Sequence, residues 1–146
     1  MTYPDDMIIV FADAETETVG VLRAALAYNE EPYAVGVSVG NVIPSDRTID
    51  NPQLPYVQVQ LDGVPVAEYP VAIRPTVRVT AWHDNQDHAL ELAVFCQSVL
   101  LAASTDTVQL YTWLTGPFRG TDPVTEMAVS SFTIRATVRG SLVSPQ

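Results

Sequence analysis

The sequence predicts an α+β fold, in which a mainly antiparallel sheet of about five strands carries two helices packed on one face. Several short segments alternate apolar and polar side chains, which is typical of strands with one buried face. Two other segments begin with acidic residues and then place apolar residues three and four positions apart, which is typical of helices. The order of these strands and helices along the chain fits a mainly antiparallel sheet that is covered by helices on one face.

The first helix is predicted from Ala14 to Tyr28, because acidic side chains at its start favour the positive end of the helix dipole. These acids are Asp13, Glu15 and Glu17. Its core side should contain Val19, Leu22 and Leu26. A strand from Tyr33 to Ile43 follows, with inward positions at Val35, Val37, Val39 and Ile43.

Three further segments continue the chain. Residues Pro44 to Pro55 combine prolines, acids and turn-forming residues without a period, which predicts an exposed loop. A second strand is predicted from Tyr56 to Leu61, with Val57, Val59 and Leu61 inward. A third strand begins at Arg74 and has Val77, Val79 and Ala81 on its buried face.

The second helix follows this strand and has Asp84 as its predicted N-cap. One face carries a core-facing stripe of Ala89, Leu92, Ala93, Cys96, Val99, Leu100 and Ala103. Leu90, Val94 and Leu101 form a further apolar row, roughly 120 degrees round the helix. A helix that is apolar on two sides needs two partners, and a second copy of this chain is as good a candidate for the second partner as the rest of the same chain.

Two strands complete the predicted sheet. In the first, Val108, Leu110 and Leu114 alternate with polar and aromatic residues, and a long exposed loop from Thr115 to Glu126 should follow. The second strand, Ser131 to Gly140, turns Phe132, Ile134, Ala136 and Val138 inward. The opposite, polar face of the sheet then contains Arg74, Arg78, Arg135 and Arg139.

Composition limits the classes of function. A chain of 146 residues is expected to form one domain over residues 1–146, and its single cysteine, Cys96, is expected in the core. All seven basic residues are arginines and the net charge is -10, which argues against a general nucleic-acid coat but leaves a local arginine patch possible. No apolar run is long enough to cross a membrane, and we expect neither a membrane partner nor a secretory leader.

Catalytic patterns are weak. His83, Asp84, Asp87 and His88 are the one cluster resembling a metal or acid-base site, but a five-residue spacing does not stack two imidazoles on one helix face, and helix capping explains the aspartates. No nucleophile elbow, phosphate-binding loop or dinucleotide fingerprint is present. We therefore expect no enzyme, no cofactor and no metal. Tyr111, Trp113 and Phe118 are equally consistent with anchoring a partner and with covering the core edge.

Several segments of the sequence resemble segments of the tail terminator, or tail completion, proteins of long-tailed bacteriophages. FADAETETVGVLRAAL is similar to the first helix of that family, VGVSVGNVIPSDR to its next strand and loop, and LPYVQVQLDG to the strand after it. RPTVRVTAWHDNQDHALELAVFCQSVLLA is similar to the family's strand and long helix, and SFTIRATVRG to its last strand. The resemblance extends from about Phe11 to Gly140.

This resemblance implies a virion protein, assembled in the host cytoplasm, that forms a homo-hexameric ring at the head-proximal end of the tail. The ring would bind the tail tube protein, end polymerisation of the tube and join it to a connector or neck protein of the head. DNA would pass through the lumen without sequence-specific binding, and no catalysis is implied. The alternatives are another phage neck or tail-completion protein, such as a head-tail connector or stopper, and a cellular binding module of similar fold.

A ring built head to tail needs two complementary patches on each subunit, and the row Leu90, Val94 and Leu101 is our candidate for one of them. The two predicted loops would dock the tube or the connector through Asp46, Arg47, Asp50, Phe118, Arg119 and Asp122. The four arginines of the polar sheet face would meet acidic subunits or line the lumen.

Overall fold

The computed structural model describes residues 8–43, 50, 55–62, 66–68 and 72–143. Its elements, in chain order, are β1 (Ile8–Phe11), α1 (Ala14–Leu26), a 3-10 helix (Pro32–Ala34), β2 (Ser38–Gly40), β3 (Tyr56–Leu61), β4 (Val66–Glu68), β5 (Ala72–Arg74), β6 (Thr76–His83), α2 (Gln86–Ala102), β7 (Val108–Thr121) and β8 (Ala128–Val143).

The strands form a mainly antiparallel sheet, as predicted, with more strands than expected. Its order is β2-β3-β6-β8-β5-β4, and β1 and β7 also pair with β8. β2 runs parallel to β3, and the other pairings among the described strands are antiparallel. The sheet is therefore mixed.

One face of the sheet and both helices enclose the main core. β6 contributes Val77, Val79 and Ala81, and β8 contributes Phe132, Ile134, Ala136 and Val138, all with essentially no exposure. Opposite them lie Leu22 of α1 and Leu92, Cys96 and Leu100 of α2. The predicted alternation of both strands and the predicted stripe of α2 are thus confirmed, and so is the placement of both helices on one face.

The other face of the sheet is not wholly polar. Tyr56 and Trp82 are cross-strand neighbours there, and they form a second buried cluster with Met127. Their ring centroids are 6.0 Å apart, and Ile43 and Val129 pack against them. Aromatic side chains therefore cover one end of the face on which the sequence predicts arginines.

The helix starts agree with the sequence at α1 and differ at α2. Asp13 caps α1, since its Oδ1 accepts a hydrogen bond from the Glu15 N–H at 3.0 Å. At α2 the N-cap is Asn85 and not Asp84, because Asn85 Oδ1 accepts from the His88 N–H at 2.8 Å. The Asp84 carboxylate instead forms a hydrogen bond with the imidazole of His83.

The predicted strand from Tyr33 to Ile43 is wrong for most of its length. Only β2 forms a strand within it, and of the predicted inward residues Val39 is buried whereas Val35 is 65% exposed. Gly36 has a φ of +74°, a left-handed conformation that breaks an extended run. Pro32 begins a 3-10 turn just before it.

The predicted loop from Thr115 to Glu126 is also wrong, because β7 continues to Thr121 and only a short turn separates it from β8. The inward residues of β7 are Val108 and Tyr111, whereas Leu110 is exposed. A shift of register between Val108 and Leu110 explains the difference, since one inserted residue reverses the faces of those that follow.

Two adjacent leucines test which face of α2 is core. Leu100 has no exposure and Leu101 is 45% exposed. Leu100→Ala is expected to lower the free energy of unfolding by about 2–5 kcal/mol because it leaves a cavity. Leu101→Ala should lower it by about 1 kcal/mol or less. Urea denaturation of dilute protein measures both, and equal losses would contradict this packing.

The buried thiol gives a second test. Burial raises the pKa of Cys96 to about 12, so the thiolate is scarce at ordinary pH. The folded protein should resist iodoacetamide at about pH 8.5, near the pKa of a free thiol, and the protein in guanidinium should be alkylated completely. Intact mass measures the reaction. Rapid alkylation of the folded protein would show that the α2 stripe opens to solvent.

Candidate assembly surface

The outer face of α2 presents the apolar row that the sequence singles out. Val94 is 44% exposed and Leu101 is 45% exposed, while Leu90 is partly buried. All three lie away from the stripe that packs on the sheet. The described residues of this chain therefore leave Val94 and Leu101 largely uncovered.

A shallow apolar depression lies on this outer face. It has a volume of about 380 Å³ and is lined by Tyr33, Leu90, Glu91, Val94, Phe95 and Ser98. The rings of Tyr33 and Phe95 form one wall, with centroids 6.2 Å apart. An open, apolar depression of this kind suits a side chain of a protein partner, because the rest of the partner's surface then excludes water from the contact.

Trp113 of β7 extends the apolar surface beside α2. Its Nε1–H donates to the carbonyl oxygen of Gly116 at 2.9 Å, and Gln97 Nε2 of α2 donates to the same oxygen at 3.3 Å. This shared acceptor places the indole next to the helix one turn before Leu101. Since Trp113 is 54% exposed, it adds a large apolar group to the row. We define the α2 patch as Leu90, Val94, Leu101 and Trp113.

A second apolar surface lies on the opposite face of the sheet. Phe118 is paired with Ser131 and Leu110 with Thr137, and these β8 residues alternate with the inward Phe132 and Ala136. Cross-strand partners share a face, so Phe118 and Leu110 point away from the helices. Both are well exposed. Their partners on β8 are six residues apart, which places the two side chains about 20 Å from each other along the sheet. We refer to these two exposed positions of one face as the β7 patch.

The residues predicted to dock partners fall into three groups. Asp46 and Arg47 lie outside the described residues. Asp50, Phe118 and Arg119 are exposed, the last two on β7 and not on a loop. Asp122 corrects the prediction, because it is buried and its Oδ2 accepts hydrogen bonds from the N–H and the hydroxyl of Thr125, at 3.0 and 2.6 Å. Its role is to close the turn between β7 and β8.

The four predicted arginines lie on the sheet face away from the helices, but they differ in environment. Arg78 forms an ion pair with Asp62, with an Nη2–Oδ2 distance of 2.9 Å. Arg135 is partly buried, and its Nε has no hydrogen-bond partner within the described part of the chain. Arg74 is partly exposed and Arg139 is exposed. The face is thus less positive than its four guanidinium groups suggest.

The structure brings together the two histidines that the sequence separates. His83 ends β6 and His88 lies in the first turn of α2, so the two need not share a helix face. Their ring centroids are 4.8 Å apart, and Asp84 lies between them. The hydrogen bond from His83 is the main cause that lowers the pKa of Asp84.

Sequence reasoning left Trp113 open between anchoring a partner and covering the core edge, and it missed the wall formed by Tyr33 and Phe95. Trp113 lies two residues after the inward Tyr111, so regular alternation from Tyr111 would have indicated its face. The Tyr33–Phe95 contact joins residues far apart in the chain, and no local pattern signals it.

Gly116 tests the path of β7. It has a φ of +83°, and an added Cβ would meet the Ser131 carbonyl oxygen at 2.6 Å. Gly116→Ala should therefore cost at least about 1 kcal/mol of stability. The matched control is Gly20→Ala in α1, where a Cβ meets nothing within 4 Å. It should stabilise the protein by roughly 0.5–1 kcal/mol. Thermal unfolding measures both, and a harmless Gly116→Ala would contradict this path.

Comparisons with known proteins give one finding on the fold. No family model and no curated protein matches the chain. A chain in the solved structure of the virion of a native gene transfer agent particle is similar in fold, with a TM-score of 0.63 and 15% sequence identity. The match covers 88% of this chain and 100% of that chain. Among the described residues, no helix is long and apolar enough to span a membrane.

Proposed function

We propose that this chain is a structural protein of a phage-like virion and that it forms a ring at the head-proximal end of the tail tube. The observation that carries the proposal is the shared fold with a chain of a virion, which is matched over its whole length. The resemblance of the sequence to tail terminator proteins supplies the position in the particle. The ring ends polymerisation of the tube and provides the surface that joins it to the head or neck.

The two apolar patches support assembly into a ring. A closed ring requires two different surfaces on each subunit, and the α2 patch and the β7 patch lie on opposite faces of the sheet. The β7 patch of one subunit then packs against the α2 patch of the next, with Phe118 as the side chain that enters the depression beside Val94. Both patches lose exposed apolar area in this contact, which is the main favourable term in association.

The tube is bound, in this proposal, through the edge of β7 that faces away from β8 and through the exposed Asp50, which the sequence predicts to lie in a loop. Among the described strands β7 pairs with β8 alone, so its other edge offers to a strand of the tube protein those backbone groups that side chains do not already bind, as Gln97 and Trp113 bind the Gly116 carbonyl oxygen. A connector or neck protein binds the opposite end. DNA crosses the lumen without specific binding, because Arg78 is already paired with Asp62 and the chain as a whole is acidic.

The ring is tested with the double variant Val94→Glu and Leu101→Glu. Two carboxylates in the α2 patch cannot be buried without a large cost, so the ring should be lost while circular dichroism stays near that of the wild type. Native mass spectrometry and light scattering are measured for the protein alone and with the tail tube protein. The control is Ala24→Glu with Tyr28→Glu, which adds the same charge at two exposed positions of α1 and its end.

Three results would contradict the proposal. A wild-type chain that stays monomeric both alone and with the tube protein excludes a ring on the tube. Loss of assembly in the control variant as well would assign the effect to charge and not to the α2 patch. Binding to a connector protein without binding to the tube would favour the alternative, a head-tail connector or stopper.

A further inference from the structure

Three candidate metal ligands converge where β6 ends and α2 begins. The Nδ1 atom of His88 lies 3.4 Å from Oδ1 of Asp84, and Nδ1 of His83 contacts the same oxygen. The ligand atoms of the three residues all lie within 4.8 Å of one another. Two imidazoles and one carboxylate around a common point are the usual donor set of a zinc site with an open position.

The orientation of His83 is already that of a metal ligand. Its ring is buried, and Nε2 lies 3.0 Å from the carbonyl oxygen of Tyr33. A carbonyl oxygen only accepts, so Nε2 carries the proton and donates it. In the neutral ring Nδ1 then has the lone pair, and it points toward Asp84 and His88. Histidines that bind metals are held in the same way, by a carbonyl or carboxylate on the other nitrogen.

The Asp84 carboxylate contacts Nδ1 of His83, and the backbone N–H of Asp84 donates to the same nitrogen at 2.9 Å. A proton on Nδ1 satisfies the carboxylate in the absence of metal. A metal ion beside the nitrogen and the oxygen would take the place of that proton and of the Asp84 N–H, and it would also attract the lone pair of His88.

We propose that His83, Asp84 and His88 bind a divalent transition-metal ion of the zinc class. Two ligand atoms on a tetrahedral zinc with bonds of about 2.1 Å are about 3.4 Å apart. The distance between Asp84 and His88 already has this value. His83 and Asp84 are closer and must separate on binding, which the largely exposed carboxylate of Asp84 allows by rotation. Two nitrogen donors favour zinc over Mg²⁺ or Ca²⁺, which prefer oxygen.

The ion would link three parts of the chain and leave one position open. It would join the end of β6 to the first turn of α2 and, through the Tyr33 carbonyl, hold the 3-10 helix against both. Beside the ligands lies a space of about 260 Å³ whose other walls are Pro32, Val35 and Pro55. Water or a donor from another molecule has access to the fourth position from there. This site does not depend on the proposed ring.

Titration calorimetry with Zn²⁺ in an excess of Mg²⁺, together with the visible absorption of the Co²⁺ form, tests the site. The wild type should bind one ion per chain. His88→Ala and Asp84→Asn should each weaken binding by at least about tenfold, since even the loss of an outer-shell partner has this effect. The control is Asp87→Asn, which removes an exposed carboxylate from the same helix turn but outside the cluster, and its affinity should be that of the wild type.

Circular dichroism of the metal-free proteins shows whether the variants fold, and neither His88 nor Asp84 is buried. Two results would overturn the site. One is the absence of saturable binding in the wild type. The other is equal binding in the wild type and both ligand variants, which would mean that the ion binds the acidic surface at large.

Discussion

The pairing of β8 with its neighbours is the interaction on which the rest of the structure depends. This strand hydrogen-bonds to β1, β5, β6 and β7. Its alternation from Phe132 to Val138 decides which face of each neighbour meets the helices. A slip of one residue would expose the inward side chains of β8 to water, so the hydrophobic effect maintains the register. The positions of Trp113 and Phe118 on opposite faces of β7 follow from that register.

One face of α2 packs in the core, and the proposed ring uses the other face. Leu100 and Leu101 are neighbours of the same type, but one is enclosed by the sheet and the other faces outward. An exposed row of this kind, extended by Trp113 at the strand beside it, is costly to leave in water and is typical of a surface that is covered in an assembly. The proposed ring gives the row its partner without any change in the core.

The proposed ring and the proposed metal site use different side chains of α2 but meet at its start. His88 lies in the first turn of the helix, two residues before Leu90 of the α2 patch, whereas Leu101 lies at its end. Tyr33 contributes to both, since its ring borders the depression and its carbonyl oxygen contacts His83. Both also depend on the orientation of α2 on the sheet, which its buried stripe maintains.

The sequence by itself determined the bounds of β3, although the predicted inward Leu61 is exposed. It also determined the parts of the fold in which a local period matches burial, namely the inward faces of β6 and β8, the stripe of α2 and the surplus row at Val94 and Leu101. Tertiary structure decided the rest, because the deciding contacts join distant residues. The segment from Thr115 to Thr121 contains Gly and Pro, which disfavour a strand and are typical of a loop. It is nevertheless a strand, because β8 provides its hydrogen-bonding partners. His83 and His88 meet only because the chain turns between β6 and α2, which no spacing within one helix predicts.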